Sequence, residues 1–274
     1  MAINLASKYS PKIVERYRTK SLTEVPGMNK DYDWQGVKSV KVYSLTPVVL
    51  GDYTREGSER YGTPTELQDT TQEMIVSKDR STTITIDKGN NTEQLAIKEA
   101  GKVTAMQNEE VFFPEFDKYK LSVWGATTTT TGTAVALTTT NVYEKFLAAC
   151  ELLDEKLVPQ SGRVAFVTPA TYNLLKRCPE FVKQSESGQK MMNSGHVGEV
   201  DGVQIIKVPT SYMPTKVAFI VMHPSCTIAP LKMEDVNLHL NPPGISGHRI
   251  DMRWIYDCFV FDAKKDAIVK HLNA

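Results

Sequence analysis

The longest periodic pattern in the chain lies between Asn91 and Val123. Ala96, Ala100, Val103, Gln107 and Val111 recur at helical spacing. Phe112, Phe116, Tyr119 and Val123 follow at i, i+4, i+7 and i+11, which puts three rings and a valine on one face. The pattern predicts one long helix, with Asn91 as its N-cap and Gln94 where a capping box takes Glu or Gln. Unbroken, such a helix would span ~50 Å at ~1.5 Å per residue, well beyond most globular helices. Pro114 falls inside the run, lacks an N–H and crowds the carbonyl of Glu110, so a kink or break is expected near Phe113. Two readings compete: an ordinary helix pair in an α+β core, or a spine on which two lobes are mounted.

Upstream of that helix the period changes to two. Val37–Leu45 alternates, with Val40 and Val42 opposed to Lys41 and Tyr43, and Met74–Ile86 alternates through Thr82, Ile84 and Ile86. The two stretches are predicted to pair antiparallel. Between them Thr46–Thr71 is polar and carries Gly51, Gly57, Gly62 and Pro64. Loops this long are uncommon inside compact domains, so two strands leading out and back around a tip are expected. Residues 1–35 form a mixed arm. Tyr9, Ile13, Val14 and Tyr17 line one side of a short helix after Ser10-Pro11, too little surface to make a core alone.

Downstream, Thr127–Thr131 with Gly132 reads as a crossing or surface loop, and Thr133–Thr140 is β-prone. Asn141 opens a second helix, with Glu144 completing a capping box and Val142, Phe146, Cys150, Leu153 and Leu157 as its buried stripe; Pro159 and Gly162 stop it. Arg163–Val167 is a short apolar strand, and Thr168-Pro169 starts another helix to about Cys178. This strand–helix alternation marks an α/β lobe. Ser185–Ser194 reads as mobile. Asp201-Gly202 is a hairpin signal before the strand Val203–Val208. Lys216–Met222, Val236–Leu240 and Ile250–Phe261 are further strands, Asp262–Lys265 turns, and Ala267–His271 returns. The C-terminal third is therefore β-rich and is expected to pair with strands flanking the spine.

Composition changes little in this picture. The 274 residues carry 32 Lys+Arg and 32 Asp+Glu, a formal net charge of zero, which argues against a wholly basic nucleic-acid-binding surface. Charge is nonetheless segregated. Residues 1–40 hold seven Lys/Arg against four Asp/Glu (+3), whereas the predicted tip holds Arg55 and Arg60 against Asp52, Glu56, Glu59, Glu66 and Asp69 (−3). The four cysteines form no CxxC pair and read as reduced, buried thiols of a cytoplasmic setting. Met1-Ala2-Ile3-Asn4 does not begin a secretory signal, and no apolar run approaches membrane-spanning length.

Chemistry-bearing motifs are missing. There is no phosphate-binding GxxxxGK[ST], no GxGxxG and no GxSxG. The five histidines lie at no metal-ligand spacing, Asp31 and Asp33 lack the rest of a calcium loop, and Glu109 and Glu110 diverge on their helix. Catalytic, metal and cofactor residues are all expected to be none.

The order arm, projecting hairpin, long helix, α/β lobe and returning strands resembles the major capsid proteins of tailed bacteriophages, the Hong Kong 97-type family. Local stretches carry the same resemblance: Met1-Ala2-Ile3-Asn4-Leu5-Ala6, Asp52-Tyr53-Thr54-Arg55, Tyr61-Gly62-Thr63-Pro64, Thr85-Ile86-Asp87-Lys88-Gly89-Asn90-Asn91, Asp201-Gly202-Val203 with Val208-Pro209, and Trp254-Ile255-Tyr256-Asp257 with Lys264-Lys265. It implies an α+β, Hong Kong 97-like capsid fold. Residues 1–36 would be the N-terminal arm and 37–87 the extended loop. Residues 88–125 with 229–274 would form the peripheral domain with its spine helix, and 126–228 the axial α/β domain.

The implied function is self-assembly, in pentamers and hexamers, into an icosahedral shell around double-stranded DNA that the shell contacts non-specifically. Separate scaffolding and portal proteins are implied, no membrane is, and assembly would take place in the host cytoplasm. Asp52, Arg55, Glu56, Glu59 and Arg60 of the loop and Tyr9, Arg16 and Tyr17 of the arm are the expected inter-subunit contacts. Some relatives crosslink through a loop lysine; residues 46–72 contain none and Lys78 lies further back, so no crosslink is expected at the tip. The alternatives are a cellular nanocompartment shell of the same fold and a soluble α/β enzyme whose site is assembled from distant residues.

Overall fold

The computed structural model describes residues 21–25, 27, 28, 32, 34, 39–58, 60–89, 100–126, 129–178 and 198–274. The expected N-cap at Asn91, the helix of the arm and the stretch Ser185–Ser194 lie outside them.

Helix is continuous from residue 100 to 125, in three parts. These are α1 (Ala100–Gln107), a π-helical turn (Asn108–Phe112) and α2 (Phe113–Gly125). The expected break at Pro114 is thus replaced by a widened turn. The N–H of Phe113 bonds to the carbonyl of Asn108, five residues back. A widened turn is a known way for a helix to take up local strain without ending, and here it directly precedes the proline. Pro114 then sits in the first turn of α2, where its missing N–H is tolerated.

Two strands precede the helix and pair with each other. β1 (Ser39–Thr46) runs antiparallel to β2 (Gln68–Ile75), with Val40 opposite Met74 and Val42 opposite Gln72. The predicted single strand Met74–Ile86 is split at Val76-Ser77. Its second part, β3 (Lys78–Asp87), leaves the hairpin and pairs with β10 (Gly247–Tyr256), which in turn pairs with β9 (Leu231–Leu240). Alternation alone does not say where one strand changes partners.

A five-stranded sheet forms the largest core. Its order is β12 (Ile268–Leu272), β7 (Val217–Met222), β4 (Val164–Val167), β6 (Val203–Lys207), β5 (Glu199–Val200); β4 and β6 are parallel and every other pair is antiparallel. β4 and β7 are buried at every position because both sheet faces are covered. On one face Phe219 and Val221 pack under α3 (Val142–Glu155), through Phe146, Cys150 and Leu153, and under α4 (Pro169–Arg177). On the other, Ile220, Met222 and Phe166 meet Leu121 and Trp124 of α2, with Trp124 stacked on Phe166 at 5.3 Å. One more antiparallel pair, β8 (Thr227–Ile228) with β11 (Phe259–Val260), closes the body.

The sequence-level details are corrected at four places. Asn141 does not cap α3; its side chain accepts from the Thr138 N–H (2.7 Å) and donates to the Ala136 carbonyl (3.1 Å). Leu157 is not on the buried stripe: it follows the helix end in a left-handed conformation (φ 55) and is 91% exposed. Thr133–Thr140 forms no strand. Residues 129–135 instead lie along the edge of β12, with Thr131 and Val135 donating to the carbonyls of Lys270 and Leu272. Finally, of the C-terminal strands β10 pairs as expected with β3, which precedes the long helix, whereas β12 joins the five-stranded sheet. Thr168 does cap α4 as expected, accepting from the Thr171 N–H. Asp201 and Gly202, both at positive φ, make the predicted β5–β6 turn.

Candidate assembly surface

The β1–β2 hairpin changes character along its length. Its root is part of the body. Val42, Met74 and Val76 are buried with Trp34, Ile228 and Phe261, and Trp34 stacks on Phe259 at 5.5 Å. The Gln72 amide donates to the Val260 carbonyl (2.9 Å) and accepts from the Asp262 N–H (3.0 Å), so one side chain ties the hairpin to β11 through both of its polar atoms. Just beyond the root, Asp257 gathers the N–H and hydroxyl of Ser77, the phenol of Tyr119 and the N–H of Cys258. Burial, and then the hydrogen bond to this carboxylate, push the Tyr119 phenol well above its usual range. The junction between hairpin, β10 and α2 is therefore fixed by a satisfied polar network.

Past Gln72 and Tyr43 none of the described residues covers the hairpin. Every described residue from Leu45 to Thr71 is exposed. Val49 is 90%, Leu50 96% and Tyr61 92% exposed, and Tyr43, Leu45, Val48, Tyr53 and Leu67 are each more than half exposed. The tip still has internal order. The Thr54 N–H bonds to the Arg60 carbonyl (3.0 Å), the Arg60 side chain donates to the Gly57 carbonyl (3.1 Å), and Tyr53 meets Tyr61 edge-on at 5.0 Å. Gly57 and Gly62 take the positive φ that these bends need.

Of the residues expected at an interface, Asp52, Arg55, Glu56 and Arg60 lie together on this exposed tip. Among the described residues none of the ion pairs involves Asp52, Arg55 or Glu56. Glu59, Tyr9, Arg16 and Tyr17 lie outside the described residues. The expectation leaned on charge and passed over the apolar residues. The run Pro47-Val48-Val49-Leu50 carried the signal, since it alternates with nothing and sits in an otherwise polar, glycine-rich segment. A second exposed apolar series lies on β9, at Leu231, Met233, Val236, Leu238 and Leu240. β9 is an edge strand, so one row of its backbone groups has no partner strand within the sheet.

Burial raises the Cys150 thiol to about 11 and the Cys226 and Cys258 thiols to about 12, which makes them poor nucleophiles. Among the described residues no group of three or more His, Cys, Asp and Glu is placed to hold a metal ion, and no helix is long and apolar enough to cross a membrane.

No protein-family model matches the sequence, and no curated protein matches it. Solved structures do. One from Mycobacterium phage Che8 superposes with a TM-score of 0.79 at 15% identity, covering 98% of both chains. The capsid of cyanophage P-SCSP1u gives 0.78 at 12% identity, over 99% of this chain and 93% of that one. The mature capsid of bacteriophage PhiM1 also gives 0.78 at 12% identity, over 98% and 92%. At such identities likeness is a statement about architecture, and the architecture is that of tailed-phage capsid subunits: the chain has the Hong Kong 97-type fold.

Proposed function

We propose that the chain is the major capsid subunit of a tailed bacteriophage, assembling through pentamers and hexamers into an icosahedral shell around double-stranded DNA and residing in the virion. The observation that carries this reading is the hairpin. From Leu45 to Thr71 it exposes seven large apolar side chains to solvent, with no cover from the described residues of its own chain. An extended apolar arm that contributes nothing to its own core is stabilised when it lies on another subunit. The fold shared with phage capsids supports the same reading. Within it, residues 37–87 act as the extended loop, 88–125 with 229–274 as the peripheral domain and 126–228 as the axial domain. Scaffolding and portal proteins are separate chains, and DNA is held without sequence preference.

Negative-stain electron microscopy of the purified protein, expressed alone and with its neighbouring genes, tests this. Closed shells or rings of five and six subunits are expected, with DNA rather than an enzyme as the content of shells from infected cells. A uniform population of small compact particles under both conditions would overturn it. The hairpin has no lysine between residues 46 and 72, so boiled shells should run as a single band of monomer size. A ladder of covalent multimers would contradict this.

A further inference from the structure

Residues 21–23 are held against α2 through one carboxylate. Asp117, on α2 and only 2% exposed, accepts from the Ser21 hydroxyl (2.6 Å), the Leu22 N–H (2.8 Å) and the Thr23 hydroxyl (2.5 Å). These contacts join residues 94 to 96 positions apart. Lys120, also buried, places its ammonium 3.9 Å from the same carboxylate and 4.0 Å from the centre of the Phe116 ring. Burial lowers the Lys120 pKa and the Asp117 charge works against that shift. Thr23 and Val25 are buried as deeply as core residues. Beside the carboxylate lies a cavity of about 210 Å³, bordered by Ser21, Glu24 and Met28 on one side and by Phe112, Phe116 and Lys120 on the other.

Three donors from three consecutive residues on one buried carboxylate are more than a loop needs to lie on a helix. Because Asp117 stands one turn past the π-helical segment, the same contacts fix residues 21–23 relative to the part of the long helix that carries the Phe112–Trp254 stack.

We propose that Asp117 is a positioning residue for assembly: by clamping Ser21, Leu22 and Thr23 on α2 it fixes the first described stretch of the chain in the place that contact between subunits requires. This rests on the capsid reading for its consequence, but the clamp itself is a property of the single chain. Removing Asp117 would leave Lys120 buried without its counter-charge and endanger folding. The test therefore removes the donors. In the full-length chain, the Ser21→Ala/Thr23→Ala variant loses both hydroxyl contacts and keeps the Asp117–Lys120 pair. The Ser21→Thr/Thr23→Ser variant keeps both hydroxyls and serves as the rescue.

Amide hydrogen exchange of the unassembled subunit is read at residues 21–28, with residues 142–155 as internal control. The alanine pair should exchange at least tenfold faster at 21–28, with the control unchanged and with closed shells lost or misshapen by microscopy; the Thr/Ser pair should restore both. Unchanged exchange at 21–28 would overturn the clamp. Faster exchange with normal shells would overturn its role in positioning. If the wild-type chain never assembles, the capsid reading fails, and exchange at 21–28 still decides whether the clamp exists.

Discussion

The five-stranded sheet and the β1–β2 hairpin each carry an apolar run, put to opposite uses. β7 reads Val-Ala-Phe-Ile-Val-Met and all six side chains are buried, because helices cover both faces of its sheet. Pro47-Val48-Val49-Leu50 is also apolar and exposed, because none of the described residues lies over it. At about 25 cal/mol per Å² of apolar surface removed from water, the first run stabilises the subunit, while the second can do so only in contact with another molecule. An apolar side chain therefore reports on the fold or on the assembly according to what is built above it.

Four perturbations would break or sharpen that contrast. The largest effect on the isolated subunit belongs to Phe219→Ala. The ring packs against Phe146 at 5.7 Å and is stacked on His271 at 5.2 Å, and its loss should cost about 3–5 kcal/mol in denaturant unfolding. A cost below about 1 kcal/mol would mean that the sheet is not the folding core.

Next is Gln72→Ala, at the boundary between the two regions. Two hydrogen bonds, to Val260 of β11 and to Asp262, are lost, at about 1–3 kcal/mol. Amide exchange should rise along β1 and β2 and stay constant in β4 and β7. If exchange instead rose equally in the sheet, root and core would be one cooperative unit.

Acid should act on the body and spare the hairpin. Burial holds the His271 pKa below 6.5, with the Val135 carbonyl opposing that shift, and burial also lowers His223. For a group whose folded pKa is depressed, the unfolded chain binds the extra proton. These two residues therefore cost nothing above pH 6.5, and stability declines as the pH falls from 6.5 through their folded values. The His271→Gln variant should flatten the dependence of stability on pH between 7 and 5. An unchanged slope would assign that dependence to other groups.

The smallest effect on the subunit belongs to the tip. Val49→Ser with Leu50→Ser should change subunit stability by no more than about 0.5 kcal/mol, and yet lower the yield of shells. Reversing Asp52, Glu56 and Glu59 to Lys should likewise leave the monomer intact and impair assembly, more so at low salt, since exposed ion pairs are screened. Normal yield and salt response in the reversed variant would remove charge from the account of docking. Normal yield in the Val49/Leu50 variant would remove the apolar tip.

Much of this was legible in the residues themselves. The Phe112–Phe116–Tyr119 series has helical period, Asp201-Gly202 makes the turn its type demands, Thr168-Pro169 starts a helix, and Arg163–Val167 and Lys216–Met222 are too apolar to lie anywhere but inside. These are local matters, decided by backbone sterics, capping and period within a few residues.

Whatever depended on distant partners was decided by the tertiary structure. Alternation marked Met74–Ile86 as strand, but only the competition between β1 and β10 for hydrogen bonds splits it at Val76-Ser77. Asn141 had the right identity and spacing for a cap, and the Thr138 N–H and Ala136 carbonyl took its side chain instead. Pro114 foretold a disturbance in the helix, and packing of Phe112 and Phe116 on Trp254 and Tyr256 accompanies a π-turn rather than a break. The charges of the tip were visible from composition. That Val48, Val49 and Leu50 stand uncovered, and that one carboxylate at Asp117 holds residues 21–23, follow from which surfaces meet across the fold, and no local pattern encodes that.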